Sequence, residues 1–199
     1  MNRKLTLDDI ADLREYERER EQFRRDVIAL KKKRRVGVGP FMTFVFENRQ
    51  TIRFQIQEMA RVERLATDAA IETELRTYNP LIPEPGELAA TLFIELTSEL
   101  ALRDWLPRLV GIERSIALRV GAGDDAVLVR AEPEAAHASQ LTREEVTASV
   151  HYLHFHLTPD EIDAVAAGPV ELVIDHAEYA HATQLGDETI AEPLADLRD

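Results

Sequence analysis

The 199-residue sequence contains no cysteine. Disulfide bonds, thiol nucleophiles, cysteine-ligated zinc and iron–sulfur clusters are therefore all excluded. Apolar runs long enough to cross a bilayer are also absent, and the first thirty residues are charged, unlike a secretion signal. These absences predict a cytoplasmic protein without membrane association. Any redox chemistry would depend on nitrogen and oxygen ligands, a bound cofactor or a partner.

Basic residues are scarce relative to acidic ones, and the net charge is −13. Residues 1–35 hold 12 Lys and Arg against 8 Asp and Glu, whereas the other 164 residues hold 12 against 29. Such an acidic chain is not expected to bind nucleic acid. The five consecutive basic residues Lys31 to Arg35 could dock an anion, but we interpret them as a solvated helix end, where cations favour the helix dipole.

The common catalytic motifs are missing as well: there is no Walker motif, no G-x-S-x-G and no H-E-x-x-H. Gly121-x-Gly123-x-x-Ala126 has dinucleotide-binding spacing, but a strand-like segment follows where a helix is required, so we predict a hairpin turn. Glu134-x-x-His137 and Glu178-x-x-His181 each match one step of a di-iron motif. Their predicted positions, in a loop and after a strand, do not suit that motif, which needs helices.

The first element present is a long amphipathic helix. Thr6 is a candidate N-cap, and apolar residues recur at helical spacing as far as about Arg35. This apolar stripe must be buried on the body or on a partner. A strand is predicted at 41–47 and a second helix from Asn48 to about Leu75. The polar side chains of that helix between Arg53 and Glu63 could line a small-molecule site or could simply face solvent.

The sequence Pro80, Pro83, Pro85 and Gly86 marks a boundary. Residues 1–79 form a helical region with one short strand, and residues 80–199 form a sheet-containing region, together one continuous domain. Strands are predicted at 89–96, 112–120, 126–131, 148–157 and 170–175, with helices at 99–110 and from Thr158. The fold class is therefore α+β, with a long N-terminal amphipathic helix and a mainly antiparallel sheet with packed helices.

Five of the six histidines lie between His151 and His181. Residues two apart on a strand share a face, so His154 and His156 point the same way, and Asp175 could join them if the two strands are neighbours. Two histidines and a carboxylate suit Fe or Zn, with His176 and His181 as further ligands or proton carriers. The alternative is that these histidines only pair across the sheet or bond the backbone.

Two segments resemble the bacterial domain-of-unknown-function 3501 family: 34–63 (RRVGVGPFMTFVFENRQTIRFQIQEMARVE) and 172–185 (LVIDHAEYAHATQL). Their signatures are V-G-P-x-x-T-x-x-F-E-N-R, here Val38 to Arg49, and I-D-H-P-x-Y-x-H, in which Ala177 replaces the proline. The resemblance implies a cytoplasmic bacterial protein of unassigned activity, encoded beside rubrerythrin-like and iron–sulfur oxidoreductase proteins.

The leading hypothesis is a non-catalytic accessory or binding protein that joins a redox partner or a second copy of itself through the N-terminal helix. The alternative is a metal-binding protein or metal-dependent enzyme that uses His154, His156, Asp175, His176 and His181. Small-molecule binding at the polar helix is a third possibility. The sequence does not decide whether the protein binds Fe, binds Zn or has no cofactor.

Overall fold

The structure is a computed structural model that describes residues 3–123, 126–135 and 145–198. Its α-helices are α1 (Leu13–Arg34), α2 (Arg49–Glu63), α3 (Asp68–Tyr78), α4 (Glu99–Arg108), α5 (Pro159–Ala167) and α6 (Asp187–Arg198). The strands are β1 (Arg35–Val38), β2 (Met42–Glu47), β3 (Glu87–Ile94), β4 (Ile116–Val120), β5 (Val127–Arg130), β6 (Glu132–Pro133), β7 (Val150–His156), β8 (Val170–His176) and β9 (Tyr179–Gln184). Short 3-10 turns span Leu7–Asp9, Asn79–Leu81 and Ile112–Arg114.

The strands form two antiparallel sheets, which confirms the α+β class. The first sheet has the order β1-β2-β3-β7-β6, and the second has the order β5-β4-β8-β9. The first sheet joins strands from both sides of the proline-rich segment, because β2 pairs with β3 along its whole length. The predicted hairpin at Gly121–Ala126 is confirmed, since β4 and β5 pair as antiparallel neighbours.

The main hydrophobic core lies between the two sheets. Alternation along each strand sends one set of side chains inward, with Phe44 and Leu92 from the first sheet facing Leu118 and Leu172 from the second. Helices α1 and α2 cover the other face of the first sheet, here called the helix-facing face. A second apolar cluster, including Ile52, Ile56, Leu75, Leu81 and Ile82, fills the space on that side.

The first helix starts later than Thr6 because Asp12 is its N-cap. The Asp12 carboxylate accepts hydrogen bonds from the backbone N–H groups of Arg14 and Glu15, whereas Thr6 caps only the 3-10 turn. The apolar stripe of α1 packs within the chain: Tyr16 and Val27 are buried, and Phe23 contacts Phe54 of α2 edge to face. The stripe is therefore not left open for a partner.

The predicted second helix is two helices. Arg64 ends α2 in the left-handed conformation, and Thr67 caps α3. Strands β1 and β9 and helix α6 were not anticipated, because each is short or rich in alanine and charge.

Glu178 and His181 lie at the β8–β9 turn and on β9 rather than on a helix, and His137 lies outside the described residues. Among the helices described, none has the length and apolar character needed to span a bilayer.

Candidate functional site

The structure does not bring His154, His156 and Asp175 together. Their strands are not neighbours, because β7 pairs with β3 in the first sheet and β8 pairs with β4 in the second. His154 and His156 lie on the helix-facing face of the first sheet. Asp175 lies on the outer face of the second sheet, where it forms a 2.7 Å ion pair with Arg130. The expectation that consecutive strands pair was wrong here, and it was the basis for grouping these residues.

His154 and His156 instead lie close to Glu87. The His154 Nδ1 atom is 2.7 Å from Glu87 Oε1, although the ring N–H is not aligned for a regular hydrogen bond, and His156 Nδ1 is 3.8 Å from the same oxygen. Burial opposes ionisation of Glu87, but the contact with His154 and a backbone N–H outweigh it and lower the Glu87 pKa. Within residues 3–123, 126–135 and 145–198, no three His, Asp or Glu side chains are grouped so as to hold a metal ion.

His176 and His181 lie where the second sheet meets β1. His176 uses both ring nitrogens for the backbone: Nδ1 accepts from the Glu178 N–H, and Nε2 lies 3.2 Å from the Val110 carbonyl oxygen. The His181 ring packs edge-on against Tyr179, with 4.5 Å between centroids, and lies over Gly39. His181 thus contacts the β1–β2 turn of the first sheet, whereas His176 contacts the segment that follows α4. Fe or Zn binding by these residues stays a prediction.

A partly enclosed cavity lies between the helix-facing face of the first sheet and helices α1 and α2. Its volume is about 220 Å³, smaller than the roughly 300–1,000 Å³ of most ligand pockets. Residues from seven elements line it: Lys31, Glu47, Ile52, Gln55, Tyr78, Leu81, Thr91, Phe93, Val150 and Tyr152. Its walls are aromatic and aliphatic, with a few polar groups, which is the usual composition of a small-molecule site.

Glu47 is the acidic residue of this cavity, which Lys31 also lines, and its side chain is buried with 5% exposure. The Thr91 hydroxyl donates a 2.7 Å hydrogen bond to Glu47 Oε1. Glu47 Oε2 has no hydrogen-bond partner among the described residues. Burying a carboxylate oxygen without a hydrogen-bond partner costs free energy, because the oxygen loses its hydrogen bonds to water and gains none from the protein. We therefore expect the Glu47 Oε2 atom to bind a ligand.

Two tyrosines, Tyr78 and Tyr152, line the cavity together with this carboxylate. Burial, together with the neighbouring Tyr78 and Glu47, raises the pKa of Tyr152 to about 12. Burial also raises the pKa of Tyr78, although a hydrogen bond with Gln55 partly opposes the shift. Both phenols are therefore neutral near pH 7. They offer the cavity polarisable ring faces and hydroxyl groups rather than a second negative charge.

The polar side chains predicted on the second helix, between Arg53 and Glu63, do not share one role. Most of them attach helices to each other, and one lines the cavity. Gln57 exchanges hydrogen bonds with the backbone of Ala11, and Glu58 binds Tyr16 and Arg20 of α1. These residues fix α1 onto α2, and only Gln55 of the group reaches the cavity. Glu47 was not among the candidate residues. The available signal was a single acidic residue at the end of the largely apolar strand MTFVFE, and all six of these residues are buried in the structure.

Comparisons with known proteins assign no activity to this arrangement. Residues 4–197 match the family model described as "Protein of unknown function (DUF3501)". A crystal structure of a novel protein of unknown function from Burkholderia pseudomallei K96243 is 36% identical, with a TM-score of 0.88. The alignment covers 98% of this chain and 99% of that one. No curated protein matches.

Proposed function

Because this chain belongs to the DUF3501 family, which is described only as of unknown function, we propose a role from its geometry: it is a binding protein that holds a small cationic molecule against Glu47. The observation that carries the proposal is the unpartnered Oε2 atom of a buried carboxylate that lines a cavity. A cation would supply the hydrogen bond and the ion pair that Oε2 lacks among the described residues, since Lys31 lines the cavity but forms no ion pair with Glu47.

The other walls favour the same chemical class. The rings of Tyr78, Phe93 and Tyr152 line the cavity, and aromatic faces attract ammonium and guanidinium groups. Gln55 and the neutral tyrosine hydroxyls can accept further hydrogen bonds from such a group. The small volume limits the occupant to a compact molecule. This arrangement supports binding and positioning, and the proposal includes no catalytic step.

The association with a redox partner or a second copy, predicted from the sequence, remains a separate hypothesis. Its motivating observation was an apolar stripe on the first helix, and that stripe contacts α2 instead. Any such partner would have to use another surface. Light scattering of the purified protein tests self-association directly, and a single-copy mass would contradict the oligomer.

Thermal shift and calorimetry with matched charged and uncharged probes test the binding proposal. Benzylamine and n-butylguanidine carry the cation, and benzyl alcohol and n-butanol are their uncharged counterparts. The cations should raise the melting temperature of the wild type in proportion to the logarithm of their concentration, and the alcohols should not. Glu47→Gln keeps the side-chain shape and should abolish the response to the cations.

Glu87→Gln is the matched control, because Glu87 is a second carboxylate on the same sheet face but does not line the cavity. This variant should respond to the cations as the wild type does. Equal responses of the wild type and Glu47→Gln, or none in either, would refute the proposal. Denaturing extraction followed by mass spectrometry should in addition release an amine or guanidine from the wild type and not from Glu47→Gln.

A further inference from the structure

The basic run Lys31–Arg35 does not behave as one solvated helix end, because the fold divides it. Arg34 is buried, and its guanidinium forms a 2.7 Å ion pair with Asp196 of α6. Lys33 lies 3.6 Å from Glu188 on the same helix. These two residues therefore attach α1 to α6. Lys31, Lys32 and Arg35 lie instead along a different surface.

That surface is an open groove of about 620 Å³ beside β1, here called the basic groove. Its lining consists of Ile28, Lys31, Lys32, Arg35, Gly37, Thr43 and Glu95. Glu95 is its acidic residue, and it is already engaged: Thr43 donates a 2.9 Å hydrogen bond to it, and Arg35 lies 3.4 Å away. Lys31 and Lys32 have no ion-pair partner within the described part of the chain. The groove therefore keeps a positive surplus in a protein of net charge −13.

The basic groove and the Glu47 cavity are adjacent. Lys31 lines both of them. Thr43 of the groove and Glu47 of the cavity lie four residues apart on the same face of β2, which is roughly 13 Å along an extended strand. Negative charge is thus buried in the cavity. The positive charges of Lys31 and Lys32, which have no ion-pair partner in the described part of the chain, lie beside it within the length of a small molecule.

From this juxtaposition we propose that the ligand is a small zwitterion, with its cationic group at Glu47 and a carboxylate or phosphate in the basic groove at Lys31 and Lys32. This inference rests on the proposed function, because it adds an anionic group to the cation that the cavity holds. Lysine side chains bind either anion as point charges. The opposite charges of the cavity and the groove also fix the orientation in which the ligand binds.

A series of ω-amino acids tests whether an anionic group improves binding, and which spacing between the amine and the anion gives the highest affinity. Calorimetry at low ionic strength would compare β-alanine, 4-aminobutyrate and 6-aminohexanoate with the alkylamines of equal chain length. Phosphoethanolamine and ethanolamine form the phosphate arm, and inorganic phosphate alone is the anion-only probe. We expect at least one zwitterion to bind roughly tenfold more tightly than its amine, with the gain reduced by added salt. Whichever arm shows the gain identifies the anion.

Lys32→Ala, which changes a lysine that lines the groove but not the cavity, should reduce that gain and leave the affinity for the amines unchanged. Arg18→Ala is the charge-matched control, because Arg18 is exposed on α1 and does not line the groove, and it should keep the gain. If amines bind at Glu47 but no anionic group improves binding, or if the lysine variant keeps the gain, the zwitterion is overturned and the cation site stands. If the wild type binds no amine and no zwitterion, both proposals fail.

Discussion

The Tyr179 hydroxyl donates a 2.7 Å hydrogen bond to the carbonyl oxygen of Val38. This bond joins β9 at the edge of the second sheet to β1 at the edge of the first. Gly39 follows Val38 with a φ of +69°, and its Cα lies against the Tyr179 hydroxyl and the His181 ring. The two segments whose resemblance to a family was noted in the sequence therefore meet at one point of the structure.

Replacing Gly39 with alanine should destabilise the protein by roughly 2–5 kcal/mol. The left-handed backbone costs about 1–2 kcal/mol for a residue with a Cβ, and forcing a methyl group into a packed contact costs about 1–3 kcal/mol. A methyl group there would lie 2.7 Å from the His181 ring. Urea denaturation measures the change. Gly37→Ala is the control, because a Cβ at Gly37 meets nothing within 4 Å, and equal losses in both variants would contradict the explanation.

Arg34→Met should cost roughly 3–5 kcal/mol, because it leaves the half-buried Asp196 carboxylate without its cation. Arg34 also donates to the Phe46 carbonyl oxygen, so its loss leaves a second group unsatisfied. Lys33→Met, which removes a half-exposed lysine with contacts of 3.6 Å or more, should change the free energy of unfolding by about 1 kcal/mol or less. Adding Asp196→Leu to Arg34→Met should recover much of the loss. Failure of that double variant to recover any stability would show that packing, not charge, dominates.

The Glu58 carboxylate should make stability pH-dependent in the acid range. Hydrogen bonds from Arg20, helped by Tyr16 and Arg61, lower the Glu58 pKa from 4.5 to about 2 despite partial burial. The folded protein therefore binds the proton less well than the unfolded chain. This stabilisation is complete above about pH 4.5 and is lost as the pH falls towards 2, with an upper limit of about 3 kcal/mol.

Glu58→Gln tests that sign by unfolding free energies measured from pH 7 to pH 3. The variant should be less stable than the wild type at pH 7, and the difference should shrink as the pH falls. Glu72→Gln, at an exposed position of α3, serves as the control and should follow the wild type throughout. A constant difference between Glu58→Gln and the wild type across this range would contradict the assignment.

Glu47→Gln should leave the ligand-free protein as stable as the wild type or more stable, by up to about 1 kcal/mol. The buried Oε2 atom of the wild type lacks a partner among the described residues, and removing an uncompensated buried charge relieves desolvation. Binding sites commonly carry such a stability cost. Urea midpoints of dialysed protein measure it. A loss of more than about 2 kcal/mol would instead assign Glu47 a structural role.

Much of the fold followed from local patterns in the sequence. Alternating apolar residues located β3, β7 and β8 to within two or three residues, and the capping box at Thr158 and Glu161 placed the start of α5 correctly. The start of α1 was misplaced by several residues because Thr6 and Asp12 both have capping side chains. Only the hydrogen bonds to Arg14 and Glu15 distinguish between them.

The candidate site was less predictable, because it depends on which strands become neighbours. The histidine spacing correctly placed His154 and His156 on one face, but pairing β7 with β3 directed His154 towards Glu87 instead of Asp175. Glu47 and Tyr152 are 105 positions apart in the sequence, and they come together only through two successive strand pairings, β2 with β3 and β3 with β7.

The sequence by itself determined the absence of thiol chemistry, the α+β class and the faces of individual strands, since these depend on composition and on side-chain periodicity. The tertiary structure alone decided that α1 is buried on α2, that Lys31 and Lys32 separate from Lys33 and Arg34, and that a carboxylate in an apolar strand lines a cavity. The physical reason is that burial and charge pairing are set by contacts between distant segments, which no local pattern encodes.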